Sequence, residues 1–333
     1  MSRLTFAEGA RVAMIGDSIT HSGLGVAYIQ EYYRTHMPKK GVKIFNLGTG
    51  GDSAAGACAR MEEILSVNPT EAVVMFGVND MGIQYYGEKP SEGNLMARAL
   101  RRRQHMEGTL RLVALLEERG IPVTLASSVG RDELTPGTAG NLTVGATDAL
   151  LAMFHDNVEA IGVGRLKNTV DYLTPMQKLQ GELIALGGPS LFAPDRTHPN
   201  DLGQQIMARI LLAAQGLPVT LPTAEAILDG WRERVLPADL TERRRAGLRW
   251  RDLSWVYPHQ ADRTPGMDLH ARIAFWREEL KKPDLPLYFT NMYKNYVENA
   301  CHGEEYLADY LARTDALYED GAVKENAKES LRV

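Results

Sequence analysis

The chain has 333 residues, of which 44% are hydrophobic and 24% are charged, and its formal net charge at pH 7 is −5. This composition is typical of a globular protein, and the slight acidic excess excludes the strongly basic surface that nucleic-acid binding requires. The length exceeds what one hydrophobic core usually serves, which predicts one large domain with an additional segment.

The N-terminal sequence has none of the marks of a secretion signal. Its apolar run, residues 12–15, is too short, and Glu8 and Arg11 interrupt the residues that precede it. No stretch stays apolar for the length of a membrane span. The two cysteines, Cys58 and Cys301, are far apart and lack the spacing of metal ligands. We therefore expect a cytoplasmic protein with reduced thiols, no metal or other cofactor, and no membrane partner.

The first two thirds of the chain alternate short apolar runs with longer segments of helical periodicity. The apolar runs predict strands at residues 12–15, 43–47, 71–76, 121–127 and 169–173. The helical patterns predict helices at residues 24–36, 54–67, 99–119, 142–161 and 201–216. Between the third strand and the helix that follows it, residues 81–97 form a polar insertion. This alternation predicts a parallel sheet with helices on both faces.

The pattern changes after Pro218 and Pro222. There we predict helices and no strand, at residues 224–235, 240–251, 267–281 and 291–319. All four tryptophans lie in this part of the chain: Trp231, Trp250, Trp255 and Trp276. Large buried aromatic side chains favour a role in helix packing, with sugar stacking or a subunit contact as the alternative. We therefore divide the chain into a sheet domain, residues 1–216, and a helical extension, residues 217–333. The extension packs either on the sheet domain or on a second subunit of a homo-oligomer.

A serine stands directly after the first predicted strand, which ends at Gly16 and is followed by Asp17 and Ser18. In parallel α/β sheets, ligands bind in the crevice beyond the carboxyl ends of the strands. A serine there can cap the next helix by accepting a backbone hydrogen bond. It can also be a nucleophile whose own N–H stabilises an oxyanion. This stretch alone favours the cap.

Three further motifs occupy equivalent places in the predicted sheet. GGD at residues 50–52 follows the second strand, GVND at residues 77–80 follows the third, and DRTHPN at residues 195–200 precedes the last helix of the domain. Taken singly, they are explained by a phosphate-binding loop, a turn and a surface histidine. Because parallel strands bring their carboxyl ends to one edge, we expect all four motifs to line the same crevice.

The side chains in these motifs are those that a serine hydrolase needs. His198 is the candidate base for the Ser18 hydroxyl, and Asp195, three residues earlier, can hold the other imidazole nitrogen. The N–H groups of Ser18 and Gly51 and the side-chain amide of Asn79 can donate to the oxyanion formed from an ester carbonyl. The joint occurrence of these groups, each at an element boundary, outweighs the separate structural explanations.

These motifs resemble the four conserved blocks of the SGNH (GDSL) hydrolase superfamily, in the order GDSIT at residues 16–20, NLGTGGDS at 46–53, GVND at 77–80 and DRTHPN at 195–200. The resemblance implies a flavodoxin-like three-layer α/β/α fold and hydrolysis of esters or thioesters without a metal. It also implies a catalytic triad of Ser18, His198 and Asp195, and an oxyanion hole of Ser18, Gly51 and Asn79.

The resemblance covers about residues 8–216, and its wording is most similar to the carbohydrate-esterase branch that includes acetylxylan esterases. It implies a serine esterase that removes short acyl groups, with acetyl expected, from small-molecule esters or acylated oligosaccharides. The alternatives are a thioesterase or lysophospholipase-type lipase and, in another class, a non-catalytic nucleotide- or sugar-binding module. That module would use the glycine-rich loop at residues 48–51, but Ser53 stands where a dinucleotide-binding loop has its third glycine.

Overall fold

The computed structural model describes residues 4–135, 144–231 and 269–283. At its centre lies a five-stranded sheet in which every neighbouring pair of strands is parallel. The strands are β1 (Arg11–Gly16), β2 (Lys43–Gly48), β3 (Glu71–Met75), β4 (Val123–Ala126) and β5 (Asn168–Val170). Their order, β2-β1-β3-β4-β5, is that of flavodoxin-like folds. The predicted fold class is therefore confirmed.

Helices connect the strands and cover both faces of the sheet. They are α1 (Ser18–His21), α2 (Leu24–His36), α3 (Ala54–Ala59), α4 (Met61–Ser66), α5 (Glu92–Glu117), α6 (Ala146–Ile161), α7 (Leu173–Ala185), α8 (Asp201–Ala214), α9 (Ala224–Leu228) and α10 (Leu269–Glu279). The strands are apolar at consecutive positions because helices exclude water from both of their faces.

Consecutive residues of β1 belong to two different hydrophobic cores. Val12 and Met14 pack with residues of α2, α7, α8 and α9. Ala13 and Ile15 pack with residues of α3, α4, α5 and α6. Since successive side chains of a strand point to opposite faces, the sheet separates two buried layers. This is the three-layer α/β/α arrangement that the sequence predicts.

The helix predicted at residues 54–67 is divided into α3 and α4. The break lies at Arg60, whose backbone leaves helical geometry with φ −110° and ψ 33°. Its buried guanidinium contacts the carboxylates of Asp52 and Glu63 at 2.7 and 3.3 Å. The break between α3 and α4 thus coincides with an ion pair between Arg60 and Asp52, which lies in the loop after β2.

The prediction for residues 81–97 was wrong in its second half. Helix α5 begins at Glu92 rather than at residue 99, and its N-terminus is capped by Ser91, whose hydroxyl accepts a hydrogen bond from the Asn94 N–H at 3.1 Å. The polar insertion is therefore confined to the residues before this cap. Apolar periodicity failed to reveal the first turns of the helix because Leu95 and Met96 are exposed to solvent.

The described residues test only part of the predicted C-terminal extension. Helix α9 lies inside the prediction for residues 224–235, and α10 lies inside that for residues 267–281. The helices predicted at 240–251 and 291–319 lie outside the described residues. Trp231 packs against the core formed with α8, and the Arg209 guanidinium lies 5.4 Å from its ring centroid. The division at residue 216 stays a prediction.

Candidate active site

Ser18, His198 and Asp195 meet at the carboxyl edge of the sheet. The Nε2 atom of His198 lies 2.7 Å from Ser18 Oγ, and its Nδ1 atom lies 2.6 Å from Asp195 Oδ2. With the proton on Nδ1, the imidazole donates to the carboxylate and accepts from the hydroxyl. The contacts therefore form an unbroken chain from carboxylate to hydroxyl, which is the arrangement that activates a serine nucleophile.

The structure shows that a residue other than Ser18 caps helix α1. The residue that caps α1 is Asp17, whose Oδ1 accepts a hydrogen bond from the Ile19 N–H at 2.9 Å. The Ser18 hydroxyl contacts the imidazole instead. The turn that presents it requires Gly16, because a Cβ atom at that position would lie 2.9 Å from the Met75 carbonyl oxygen.

A tight turn places Asp195 and His198 on one surface. The Oδ1 atom of Asp195 accepts hydrogen bonds from the N–H groups of Thr197 and His198, at 2.9 and 3.0 Å. Arg196, which lies between Asp195 and Thr197 in the chain, adopts a left-handed backbone conformation with φ 60°. Its guanidinium donates to the Thr135 carbonyl at 2.9 Å. The carboxylate is thus oriented by its own turn before it contacts the imidazole.

The surroundings of Asp195 keep it ionised. Partial burial by itself raises the pKa of this carboxyl, but the backbone N–H groups of His198 and Thr197 and the imidazole outweigh that effect and hold the pKa below its usual range. About half of the Asp195 side chain is exposed, as is 41% of the His198 side chain. An ionised carboxylate at this distance from an imidazole can stabilise an imidazolium, as a catalytic triad requires.

The expected oxyanion donors lie on the loops that follow β1, β2 and β3. Gly51 is exposed and has φ 76°, and no heavy atom lies within 4 Å of the place its Cβ would take. The backbone conformation, rather than lack of space, therefore favours glycine there. Asn79 is exposed, and its amide donates one hydrogen bond to the Asp52 carbonyl at 2.8 Å. An amide has two N–H groups, and the second has no partner among the described residues, so it can donate to a substrate.

The loops after β1 and β2 are held together by backbone contacts. The Thr49 N–H donates to the Gly16 carbonyl at 2.9 Å. Gly48 lies against the backbone of α1, where a Cβ would be 2.8 Å from the Cα of His21. A side chain at residue 48 would push the two loops apart. The glycines of the NLGTGGDS motif at residues 46–53 therefore allow both this close approach of the two loops and the left-handed conformation of Gly51.

Sequence reasoning missed a set of buried ionisable side chains behind these loops. Asp17, Asp52 and Asp80 are at most 7% exposed. Asp52 pairs with Arg60, while Asp80 accepts a hydrogen bond from the Ala54 N–H at 3.1 Å. Each carboxylate is the chain neighbour of a predicted site residue, a signal that the motifs contain. These carboxylates fasten the loops on which the predicted site residues lie.

Burial changes the protonation of Asp17. Burial raises its pKa from 3.8 to about 7, and the nearby carboxylates Asp80 and Asp52 add to the rise, while the hydrogen bond from the Ile19 N–H opposes it. Its Oδ2 atom has no hydrogen-bond partner among the described residues. A neutral carboxyl group therefore lies next to Ser18 in the chain over the lower part of the neutral pH range.

Two features are absent from the described residues. No three histidine, cysteine or acidic side chains in ranges 4–135, 144–231 and 269–283 are grouped so that they could hold a metal ion. In the same ranges, no helix combines the length and the apolar character needed to cross a lipid bilayer.

Comparison with known proteins relates the region around the site to ester hydrolases. Residues 14–206 match the model of the GDSL-like lipase/acylhydrolase family, and this range includes all five predicted site residues. An acetylxylan esterase from Geobacillus stearothermophilus is 24% identical to this chain over 228 residues, which are 63% of this chain and 95% of that protein.

One solved structure is similar over nearly the whole chain. A gut microbial diltiazem-metabolizing enzyme superposes with a TM-score of 0.72, covers 95% of both chains and has 16% sequence identity. At this identity the similarity concerns the fold alone, and it agrees with the three-layer architecture described above.

Proposed function

The chain belongs to the GDSL-like lipase/acylhydrolase family and is an ester hydrolase, and from this premise we propose a serine esterase that removes short acyl groups, acetyl in particular, from carbohydrates. The observation that carries the proposal is the continuous contact from Asp195 through His198 to Ser18. These three residues are the proposed triad, and the N–H groups of Ser18 and Gly51 with the Asn79 amide are the proposed oxyanion donors.

In the first half of the reaction, Ser18 Oγ attacks the carbonyl carbon of the ester while His198 Nε2 takes the hydroxyl proton. A bond forms between Oγ and carbon, and the carbonyl electron pair moves onto oxygen. The N–H groups of Ser18 and Gly51 and the Asn79 amide stabilise this oxyanion. When the carbonyl re-forms, the alcohol leaves with the proton from His198, and the acyl group stays on Ser18.

In the second half, water replaces the alcohol. His198, neutral again, takes a proton from the water as its oxygen attacks the acyl carbon. The same donors stabilise the second oxyanion, and its collapse returns the proton to Ser18 Oγ and releases the carboxylic acid. Asp195 stays ionised throughout and stabilises the imidazolium in both halves. Neither step requires a redox change.

Two observations support a carbohydrate substrate. A relative of this chain is an acetylxylan esterase. In addition, the cavity beside Asn79 is lined largely by polar side chains, among them Ser53, Gln104 and Arg111. Polar groups lose hydration when an alkyl chain covers them, whereas sugar hydroxyls can hydrogen-bond to them. This lining favours a hydroxylated substrate over the long acyl chain of a lipase or a lysophospholipase.

Covalent labelling tests the proposed nucleophile. A fluorophosphonate should modify the wild-type protein at Ser18, and the Ser18→Ala variant should stay unlabelled and lose nearly all turnover. Mass spectrometry of the labelled peptide identifies the residue. A label on another serine in an active preparation would refute the assignment.

A series of p-nitrophenyl esters from acetate to decanoate tests the acyl group. Each methylene buried in an apolar groove contributes about 0.8 kcal/mol, which is about fourfold in kcat/KM. We expect kcat/KM to be highest for acetate and to be lower for every ester longer than butyrate. A steady rise to octanoate would contradict the acetyl proposal and support a lipase or thioesterase instead.

A further inference from the structure

A cavity of about 430 Å³ opens beside Asn79, between helices α3 and α5. Ser53, which caps α3, lies on one side, and Arg101 and Arg111 of α5 line the other. The two helices approach closely at Gly108, where a Cβ would lie 2.9 Å from the Ala55 nitrogen. The cavity therefore has a tightly packed wall next to a proposed oxyanion donor.

The two arginines of the cavity differ from the other arginines of α5. Neither Arg101 nor Arg111 has a hydrogen bond or an ion pair within the part of the chain that the structure describes. The remaining three are bonded: Arg98 to the Tyr85 carbonyl, Arg102 to Asp156 and Arg103 to Glu107. Two guanidinium groups thus keep their donors available on one side of a helix, in one cavity.

The acidic groups that line the same cavity have donors of their own. Glu107 accepts from Arg103 at 2.8 Å. Asp80 is buried, faces His105 Nδ1 at 3.1 Å, and accepts from the Ala54 N–H. Of the charged side chains that line the cavity, Arg101 and Arg111 are therefore the ones without a hydrogen bond or an ion pair to the described residues. Guanidinium groups bind carboxylate and phosphate oxygens through charge-assisted, often bidentate hydrogen bonds.

We propose that this cavity binds an anionic group of the substrate, a carboxylate or a phosphate, on a part of the molecule away from the ester bond. The enzyme then deacylates acidic sugars in preference to neutral ones. This inference rests on the proposed function, because Asn79 lines the cavity and is also a proposed oxyanion donor. An anion held by Arg101 and Arg111 would anchor the sugar while its ester group lies against Ser18.

The kinetic test compares three monoacetylated substrates: a methyl glucuronoside, glucose 6-phosphate and a methyl glucoside. For the wild-type enzyme we expect kcat/KM to be about 10- to 100-fold higher with an anionic substrate than with the neutral one, mainly through KM, as for charge-assisted hydrogen bonds. The better of the two anionic substrates identifies the group, carboxylate or phosphate.

Substitution of the arginines should abolish this preference. In Arg101→Met/Arg111→Met the ratio of anionic to neutral kcat/KM should fall to about one, because methionine keeps the helix and removes the charge. Arg119→Met is the matched control, since Arg119 follows the same helix, lies outside the cavity and donates to the Leu115 carbonyl. Its ratio should equal that of the wild type. If the double variant fails to fold, the exposed Arg111 is tested alone by Arg111→Met, with a smaller loss of the ratio.

The outcomes separate this inference from the proposed function. Hydrolysis of p-nitrophenyl acetate with equal kcat/KM for the three sugars would overturn the anion subsite and leave the esterase standing. If no acetyl ester is hydrolysed, the proposed function fails, and calorimetry decides on the subsite. Glucuronate or glucose 6-phosphate should then bind the wild-type protein at least tenfold more tightly than glucose, and the double variant should lose the difference. Equal binding of all three would overturn the subsite.

Discussion

Two aspartates next to the proposed nucleophile respond to their surroundings in opposite ways. The side chain of Asp195 is 51% exposed, and hydrogen bonds from its own turn and from the imidazole outweigh partial burial and hold its pKa below the usual range. Asp17 is 1% exposed, and burial raises its pKa to about 7. Residue type therefore does not set the charge of a carboxyl group in this site. The charge of each carboxyl group depends on its exposure to solvent and on the number of hydrogen bonds that it accepts.

The same contrast between exposed and buried groups separates the front of the site from its base. At the front, Ser18, His198 and Asp195 contact one another next to solvent. At the base, buried charges such as Asp52 and Arg60 hold the loops in place. We expect substitutions at the front to reduce turnover with little effect on stability, and substitutions at the base to reduce stability first.

Among the substitutions that compare the front with the base, the largest effect is expected at Asp195. Asp195→Asn should lower kcat about 10⁴-fold, because an amide neither holds the required imidazole tautomer nor stabilises the imidazolium. The unfolding free energy, measured in urea, should change little because the side chain is half exposed. Asp156→Asn, which removes a surface partner of Arg102, is the control and should leave kcat unchanged. Retention of more than a tenth of kcat by Asp195→Asn would contradict the proposed triad.

The base should respond in the opposite way at Arg60. Arg60→Met leaves Asp52 and Glu63 buried without their cation, which should reduce the unfolding free energy by about 3–5 kcal/mol. The control is Arg103→Met, which removes a solvent-exposed pair with Glu107 and should change the unfolding free energy far less. Equal losses in the two variants, measured by urea unfolding, would show that burial does not distinguish these pairs.

Asn79 tests the front again, with a smaller effect. Asn79→Ala should lower kcat about 10²- to 10³-fold, the loss expected for one oxyanion donor, and leave KM nearly unchanged. The variant also removes the hydrogen bond to the Asp52 carbonyl. A thermal melt checks that the loop stays in place. A rise in KM at constant kcat would make Asn79 a substrate-binding residue instead.

The effect expected at Asp17 depends on pH. Its folded-state pKa of about 7 lies above the ordinary value of 3.8. Between these two pH values the folded protein therefore holds a proton that the unfolded chain has lost. The stabilising contribution is complete below pH 3.8 and is lost as the pH rises to 7, by at most about 1.4 kcal/mol per unit. The Asp17→Asn variant has no ionisable group at this position.

Urea unfolding of both proteins at pH 5, 6, 7 and 8 measures this dependence. The stability of Asp17→Asn relative to the wild type should increase with pH up to about 7 and then level off, because the wild type pays the ionisation cost and the variant does not. A constant difference over this range would mean that Asp17 is already ionised at pH 5.

Local patterns were sufficient for the strands and for most helices of the sheet domain, but they did not predict α7 (Leu173–Ala185). The predicted helix at 24–36 coincides with α2, and the predicted sheet has the parallel order of the structure. Both follow from apolar periodicity and from helix-ending residues, which act over a few positions of the chain. The rule that parallel strands present their carboxyl ends at one edge was enough to expect Ser18 near His198. The catalytic roles of these residues stay proposals until the substitutions above are measured.

The fold class and the motifs at the strand ends could be predicted from the amino-acid sequence. The contacts of the folded chain were needed to show that Asp17 rather than Ser18 caps α1, that a helix breaks at Arg60, and that burial raises the pKa of Asp17 to about 7. The tertiary structure also brought Ser53 and Arg111 to opposite sides of one cavity. These features depend on desolvation and on contacts between residues distant in the chain. A periodic pattern reports how a segment is buried, but not which charges are buried with it.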